Sequence, residues 1–216
     1  MNISKLHYIT QEIEGKSHYE LVEEACIAGV DWVQLRIKDK SQEEILSMAY
    51  KVKELCNNYH VKLILNDHVA IAKKIQADGV HVGKLDMDPK EVREITGQNF
   101  IIGGTANTME DIKKLTAAKV DYIGLGPFRF TTTKDNLSPV LGLDGYRDLM
   151  AQCVKEKIKI PIIAIGGIVP EDVIKILETG IYGVAVSGAI NKAIDKRKVV
   201  ESFLVGMNRY KASAVI

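Results

Sequence analysis

The sequence lacks most of what would take a chain out of the ordinary globular class. Its three cysteines, Cys26, Cys56 and Cys153, are odd in number and too widely spaced for a disulfide framework. Part-buried or buried thiols in a reducing cytoplasm are the expectation. No apolar run approaches the roughly 18 residues that a membrane helix needs. The stretch Met1–Thr10 has no long apolar region of the secretory type, so a cytoplasmic location with no membrane partner is expected. Charge of one sign is missing too. The 29 basic and 28 acidic side chains are mixed along the chain and leave a net +1, so nucleic acid finds no electrostatic footprint. No linker, low-complexity tract or long repeat interrupts the chain. At 216 residues and 46% hydrophobic it can bury one sizeable core, so a single domain over residues 1–216 is expected.

What is present is an alternation of short β-rich apolar runs and amphipathic segments. Strands are expected at Leu6–Ile9, Trp32–Leu35, Lys62–Leu65, Gly79–Val82, Phe100–Ile102, Tyr122–Leu125, Pro161–Ile165 and Tyr182–Val186. Helices are expected at Tyr19–Ala28, stopped by Gly29, and from the capping box Ser41-Gln-Glu-Glu44. A short helix is expected near Val69–Lys74, then others opening at Asp88-Pro89 and Thr108, and at Asp144–Lys155, Glu171–Thr179 and Lys198–Tyr210. Runs such as Ile162-Ile-Ala-Ile165 lack period-2 alternation, as strands covered on both faces do. Regular strand–helix alternation implies a parallel sheet. Eight such units fit an α/β, single-domain (β/α)8 TIM barrel. An open doubly wound sheet would leave two edge strands, and no segment is edge-adapted.

In a barrel, functional groups gather at the C-terminal ends of strands, and here those ends are polar. Strand two runs into Gln34-Leu35-Arg36-Ile37-Lys38, with Gln34, Arg36 and Lys38 on one side by alternation. Arginine brings a bidentate fork and lysine a point charge, a pairing suited to a polyphosphate. A charged strand end meeting solvent is the plain alternative. Strand three ends at Asn66-Asp67, and strand four leads to Asp86. Asp67 and Asp86 could share one hard cation, because Mg2+ takes one or two protein carboxylates and leaves its other positions to water and phosphate. Otherwise Asp67 caps the helix at Val69 and Asp86 serves a turn. His81 reads first as a packed, hydrogen-bonded core histidine, second as a base or ligand.

After strand five, Thr105 offers a hydroxyl, while Thr108 reads as an N-cap. Strands seven and eight end in Gly166-Gly167-Ile168 and Ser187-Gly188-Ala189, where barrels often bind phosphate through backbone N–H groups. A helix dipole alone contributes only about 0.3–1 kcal/mol, so direct N–H contacts must dominate. Between these two anion sites lies the strand-six loop Gly126–Lys134, with Thr131, Thr132, Thr133 and Lys134 in succession. Hydroxyls, freed N–H groups and one ammonium suit an oxygen-rich anion. Two anionic small-molecule substrates, one a polyphosphate needing Mg2+, suggest a transferase that releases pyrophosphate.

The sequence resembles the thiamine phosphate synthase (thiamine-phosphate pyrophosphorylase) family. The likeness lies in Gln34-x-Arg36-x-Lys38, Asn66-Asp67, Asp78-Gly-Val-His-x-Gly83 with Asp86, Gly126-Pro-x-x-x-Thr131-x-Thr133-Lys134, Ala164-Ile-Gly-Gly-Ile168 and Val186-Ser187. The resemblance implies a (β/α)8 barrel that joins hydroxymethylpyrimidine diphosphate to thiazole phosphate, giving thiamine phosphate and pyrophosphate by a dissociative route. It implies that Gln34, Leu35, Arg36, Ile37, Lys38, Asn66, Thr105 and Lys134 hold the pyrimidine diphosphate. Of these, Arg36, Lys38, Thr105 and Lys134 would be catalytic. It gives Mg2+ to Asp67 and Asp86, and the thiazole phosphate to Thr131, Thr132, Thr133, Gly167, Val186 and Ser187.

The chain departs from that pattern at Thr105, usually serine, at Lys84, usually glutamine, and at Asn107, commonly histidine. Two alternatives remain open beside the synthase. One is a thiazole tautomerase on a similar barrel, which relies on a histidine where this chain has Asn107. The other is a non-catalytic protein that binds thiamine precursors. Assembly into a homo-oligomer is left open by the sequence.

Overall fold

The computed structural model describes residues 2–130 and 139–213. Eight parallel strands close in chain order into a barrel: β1 (Leu6–Ile9), β2 (Trp32–Leu35), β3 (Lys62–Asn66), β4 (Gly79–Val82), β5 (Ile101–Ala106), β6 (Tyr122–Leu125), β7 (Ile162–Ile165) and β8 (Gly183–Val186). β8 pairs back onto β1, Tyr8 opposite Val186, so the barrel has no edge. Around it lie α1 (His18–Ala28), α2 (Gln42–Asn58), α3 (Val69–Lys74), α4 (Pro89–Thr96), α5 (Met109–Ala117), α6 (Gly142–Lys155), α7 (Val173–Leu177), α8 (Gly188–Asn191) and α9 (Lys196–Ser213). The expected TIM barrel is the fold. Among the described residues no helix is long and apolar enough to cross a membrane.

Local chemistry sets where the helices begin. Ser41 accepts from the Glu44 N–H while the Glu44 carboxylate accepts from the Ser41 N–H, so two orphan donors of α2 are satisfied together. Ser17 and Thr108 open α1 and α5 the same way, and Asp88 caps α4 ahead of Pro89. Cys26, Cys56 and Cys153 are free, buried thiols in α1, α2 and α6, as expected.

Alternation along the strands divides the apolar side chains into two cores. Outward residues such as Leu35, Leu63, Val80, Ile123 and Val184 pack under the helices. Inward residues Ile9, Trp32, Ile64, Ile101, Tyr122, Ile163 and Ala185 fill the barrel with Ile3 beneath them. Each such side chain contributes about 1.5–3 kcal/mol when fully buried. The space is shared unequally around the ring. Gly103 lies beside Tyr122, and a Cβ there would stand 2.2 Å from Tyr122 Cζ and 2.5 Å from His81 Nδ1.

That sharing explains one correction. Strand five was expected at Phe100–Ile102. It runs on to Ala106, since the bare Gly103 gives up its interior volume to Tyr122 and His81. Strand three likewise extends to Asn66, paired with His81. The segment expected as one helix over Glu171–Thr179 is a 3-10 turn, Pro170–Asp172, followed by the five-residue α7. The short α8 had no periodicity long enough to announce it.

Candidate active site

One cavity of about 950 Å³ opens at the C-terminal ends of the strands. Beneath its floor His7 stacks on Trp32, with ring centroids 4.2 Å apart, and Tyr122 meets both rings edge-on. Burial lowers the pKa of the His7 imidazole to about 3, against the opposing pull of its hydrogen bond to the Ser4 carbonyl, so this plug is neutral. One layer higher, His81 Nδ1 lies 3.1 Å from the Tyr122 hydroxyl and Nε2 lies 3.0 Å from Thr105 Oγ1. One ring nitrogen donates and the other accepts while the imidazole is neutral. Gln34, almost fully buried, lies close enough to the Tyr122 hydroxyl to influence its ionisation. His81 is therefore hydrogen-bonded as expected, and it also lines the cavity beside Gln34, Thr105 and Gly124.

The β2–β4 side of the cavity is built from charged side chains. Arg36 is anchored by its backbone, whose N–H donates to Thr10 Oγ1 at 2.9 Å, and its guanidinium has no carboxylate partner among the described residues. Lys38 Nζ donates to Asp67 Oδ2 at 3.0 Å, and the Asn66 amide donates to the same oxygen. Asp67 adopts φ +65°, a left-handed backbone unusual for a residue with a side chain. It does not cap α3: the N-cap position is His68, which makes no side-chain capping bond. Asp86 does serve a turn, accepting from the Gly83 N–H at 2.7 Å. Desolvation, and then the adjoining Asp67 carboxylate, hold the Asp86 carboxyl above the usual range.

Asp67 and Asp86, two carboxylates close enough that Asp67 raises the proton affinity of Asp86, form a donor set for a small divalent cation. Among the described residues no group of three or more His, Cys, Asp or Glu side chains could hold a metal. The pair fits an ion that needs few protein ligands, as Mg2+ does, better than a fully protein-coordinated zinc. Lys84, the unusual lysine, is turned to Asp111 at 2.6 Å and so adds little charge near these carboxylates.

The β6–β8 side is built mostly from backbone. Gly167 has φ +67°, and a Cβ there would stand 2.5 Å from Arg129 Cγ. Arg129 explains the fit: its guanidinium grips Asp172 with two bonds of 2.8 Å and donates to the Gly167 carbonyl at 2.7 Å. Val186 turns its side chain into the outer core, so it meets the cavity by its main chain. Leu35 and Ile37 also point into the outer core, by the same alternation that turns Gln34 and Arg36 inward, and do not line the cavity. Ser187 lines the cavity, but its hydroxyl donates to Gln11 Oε1 at 3.0 Å. Thr131, Thr132, Thr133 and Lys134 lie outside the described residues.

Arg129, Lys192 and Asn107 also line the cavity and were not assigned to the site by the sequence. Arg129 was within reach, sitting inside the strand-six stretch. Lys192 follows α8 with no pattern to mark it, and has no carboxylate partner among the described residues. Asn107 donates to the Gly126 carbonyl at 2.5 Å and so fixes the start of the strand-six loop. Among the described residues Arg36, Lys38, Lys84, Arg129 and Lys192 line the cavity beside Asp67 and Asp86, and although Lys84 and Arg129 are paired with Asp111 and Asp172, the lining carries more cations than carboxylates.

Comparison with known proteins agrees with this geometry. The family model described as thiamine monophosphate synthase matches residues 6–190. A thiamine-phosphate synthase of Bacteroides fragilis is 53% identical over 190 residues, covering 88% of this chain and 93% of that protein. One of Flavobacterium johnsoniae is 43% identical over 198 residues, covering 92% and 93%. The solved thiamine phosphate pyrophosphorylase of Pyrococcus furiosus superposes with a TM-score of 0.82 at 32% identity, over 95% of this chain and 96% of that one. The chain accordingly belongs to the thiamine monophosphate synthase family and is a transferase.

Proposed function

We propose that the enzyme joins hydroxymethylpyrimidine diphosphate to thiazole phosphate, giving thiamine phosphate and pyrophosphate. The observation that carries this reading is one cavity with a charged side on β2–β4 and a backbone-built side on β6–β8. Its volume of about 950 Å³ is room for two small substrates together. The C–O bond between the pyrimidine's methylene and its diphosphate breaks, with the electron pair leaving on pyrophosphate. The thiazole nitrogen then gives its lone pair to the methylene carbon, and no proton changes hands.

The residues divide accordingly. Arg36, Lys38, Asn66 and Lys134 hold the diphosphate, and Leu35 and Ile37, which do not line the cavity, drop out of that set. Gln34 and Thr105 face the pyrimidine. Thr131, Thr132, Thr133, Gly167, Val186 and Ser187 form the thiazole phosphate site. A magnesium ion bound by Asp67 and Asp86 would neutralise charge on the departing diphosphate. Fixed cations in a water-poor cavity stabilise charge as it develops on the leaving group. His81 holds the Thr105 hydroxyl at the floor of this site, Nε2 lying 3.0 Å from Thr105 Oγ1. Asn107, tied to the Gly126 carbonyl, is not placed to shuttle a proton, which disfavours the tautomerase reading.

The test incubates both substrates and Mg2+ with purified protein and measures pyrophosphate and thiamine phosphate, which should appear in equal amounts. If both substrates bind and neither product forms, the precursor-binding reading wins. Lys134→Ala should slow product formation by roughly 10²–10³-fold, the cost of losing one charge-stabilising donor. A variant within about twofold of wild type would remove Lys134 from the mechanism.

A further inference from the structure

Ser187 stands at the end of a line of polar side chains that starts outside the cavity. Tyr8 is fully buried between the barrel and its helices, and burial raises its phenol pKa, so it remains a donor at neutral pH. Its hydroxyl donates to Asn191 Oδ1 at 2.5 Å. Asn191, only 7% exposed, donates from Nδ2 to Ser187 Oγ at 3.1 Å. Ser187 Oγ donates in turn to Gln11 Oε1 at 3.0 Å. Four side chains from β1, the segment after it, the end of β8 and α8 thus form a run of donors pointing one way. A serine hydroxyl has a single proton, and here Gln11 takes it. With Asn191 donating into the same oxygen, the hydroxyl has no donor left for a phosphate.

We propose that Ser187 is a positioning residue rather than a phosphate ligand, and that the Tyr8–Asn191–Ser187–Gln11 chain fixes the loop after β8 so that its main chain can grip the thiazole phosphate. This rests on the function proposed above and changes the role of the Ser187 side chain. It also brings in Tyr8 and Asn191, which do not line the cavity. A run of hydrogen bonds anchored on the buried Tyr8 and Asn191 specifies one geometry, because breaking the link between them strands a buried polar group.

The test is a double-mutant cycle on wild type, Tyr8→Phe, Ser187→Ala and the double variant. Affinity for thiazole phosphate and for the pyrimidine diphosphate is read by calorimetry. Hydrogen exchange of the amides of residues 187–189 is read without ligand. Tyr8→Phe keeps the ring and its packing and removes one oxygen that no ligand reaches. It should weaken thiazole phosphate roughly 3–10-fold, as one net hydrogen bond does, and leave pyrimidine diphosphate within about twofold. Ser187→Ala should behave alike, the double variant no worse than Ser187→Ala alone, and loop amides should exchange faster in all three. A loss above about 30-fold in Ser187→Ala that adds fully to Tyr8→Phe would make Ser187 a direct ligand and overturn the proposal. So would Tyr8→Phe with unchanged exchange. Wild-type protein that binds no thiazole phosphate refutes the proposed function instead, and the exchange cycle still decides the coupling.

Discussion

The two walls of the cavity are made of different materials. On β2–β4 the wall is side-chain charge: Arg36, Lys38, Asp67 and Asp86, each within reach of a ligand or of another charge. On β6–β8 it is main chain, with Gly167 bent into a left-handed turn by Arg129 and Ser187 tied into a neutral run of hydrogen bonds. A wall of charges discriminates by how much charge the ligand brings. A wall of backbone discriminates by where the ligand's oxygens fall. Under the proposed function, the first would take the diphosphate with its cation, and the second the single phosphate whose position would set where the reacting nitrogen lies.

The largest expected effect breaks the charged wall. Arg36→Ala removes a guanidinium that has no carboxylate partner among the described residues, so no described carboxylate loses a partner. Turnover with both substrates should fall roughly 10²–10³-fold, while affinity for thiazole phosphate stays near wild type. Calorimetry with each substrate separately checks this. Equal losses for both would show that the walls are not independent.

Next in size is a change to the floor, which belongs to neither wall. Gly103→Ala places a Cβ 2.2 Å from Tyr122 Cζ and 2.5 Å from His81 Nδ1, in a closed barrel with nowhere to shift. It should cost about 1–3 kcal/mol of stability in denaturant melts and weaken both substrates together. A variant that loses only one substrate would assign the floor to that wall.

The same contrast decided what could be read from the sequence. Alternation and caps located all eight strands, because inward and outward faces must both be apolar in a closed barrel. The charged wall was legible residue by residue, since a charge at a strand end advertises itself. The backbone wall was legible only as glycines and a position in the barrel. Arg129 sat in a stretch already singled out, but its partner Asp172 lies 43 residues away, and no local spacing links them. Ser187 showed a hydroxyl, and only the fold reveals that Gln11, 176 residues distant, receives its proton. Glycines mislead in the other direction: Gly103 reads as a strand end and is a packing site.

A smaller effect should separate the walls by salt. Lys192 is exposed at the lip of the backbone wall, with no carboxylate partner among the described residues. Lys192→Ala should weaken thiazole phosphate roughly 3–10-fold at low ionic strength, and the difference should shrink as salt screens the charge. Affinity for the pyrimidine diphosphate should hardly change. A deficit that persists at high salt would mean Lys192 shapes the loop instead of adding charge.

The smallest effect concerns stability, and its sign is the useful part. Desolvation and the neighbouring Asp67 carboxylate hold the Asp86 carboxyl above its ordinary range. A group that binds its proton more tightly folded than unfolded adds stability as pH falls through its folded pKa, and costs stability once it ionises. Without metal, wild-type protein should therefore carry a small penalty at neutral pH that Asp86→Asn removes, while Asn keeps an oxygen for the Gly83 N–H. Asp86 is exposed and the charges are screened, so the gain in Tm should be on the order of 1 °C. Millimolar Mg2+ should reverse the order, because an ion that binds the folded wild type stabilises it by mass action and has lost a ligand in the variant. Scanning fluorimetry with and without Mg2+ measures both signs. A variant less stable than wild type in the absence of metal would mean that the two carboxylates do not repel, and the charged wall would then lack the strain that a cation relieves.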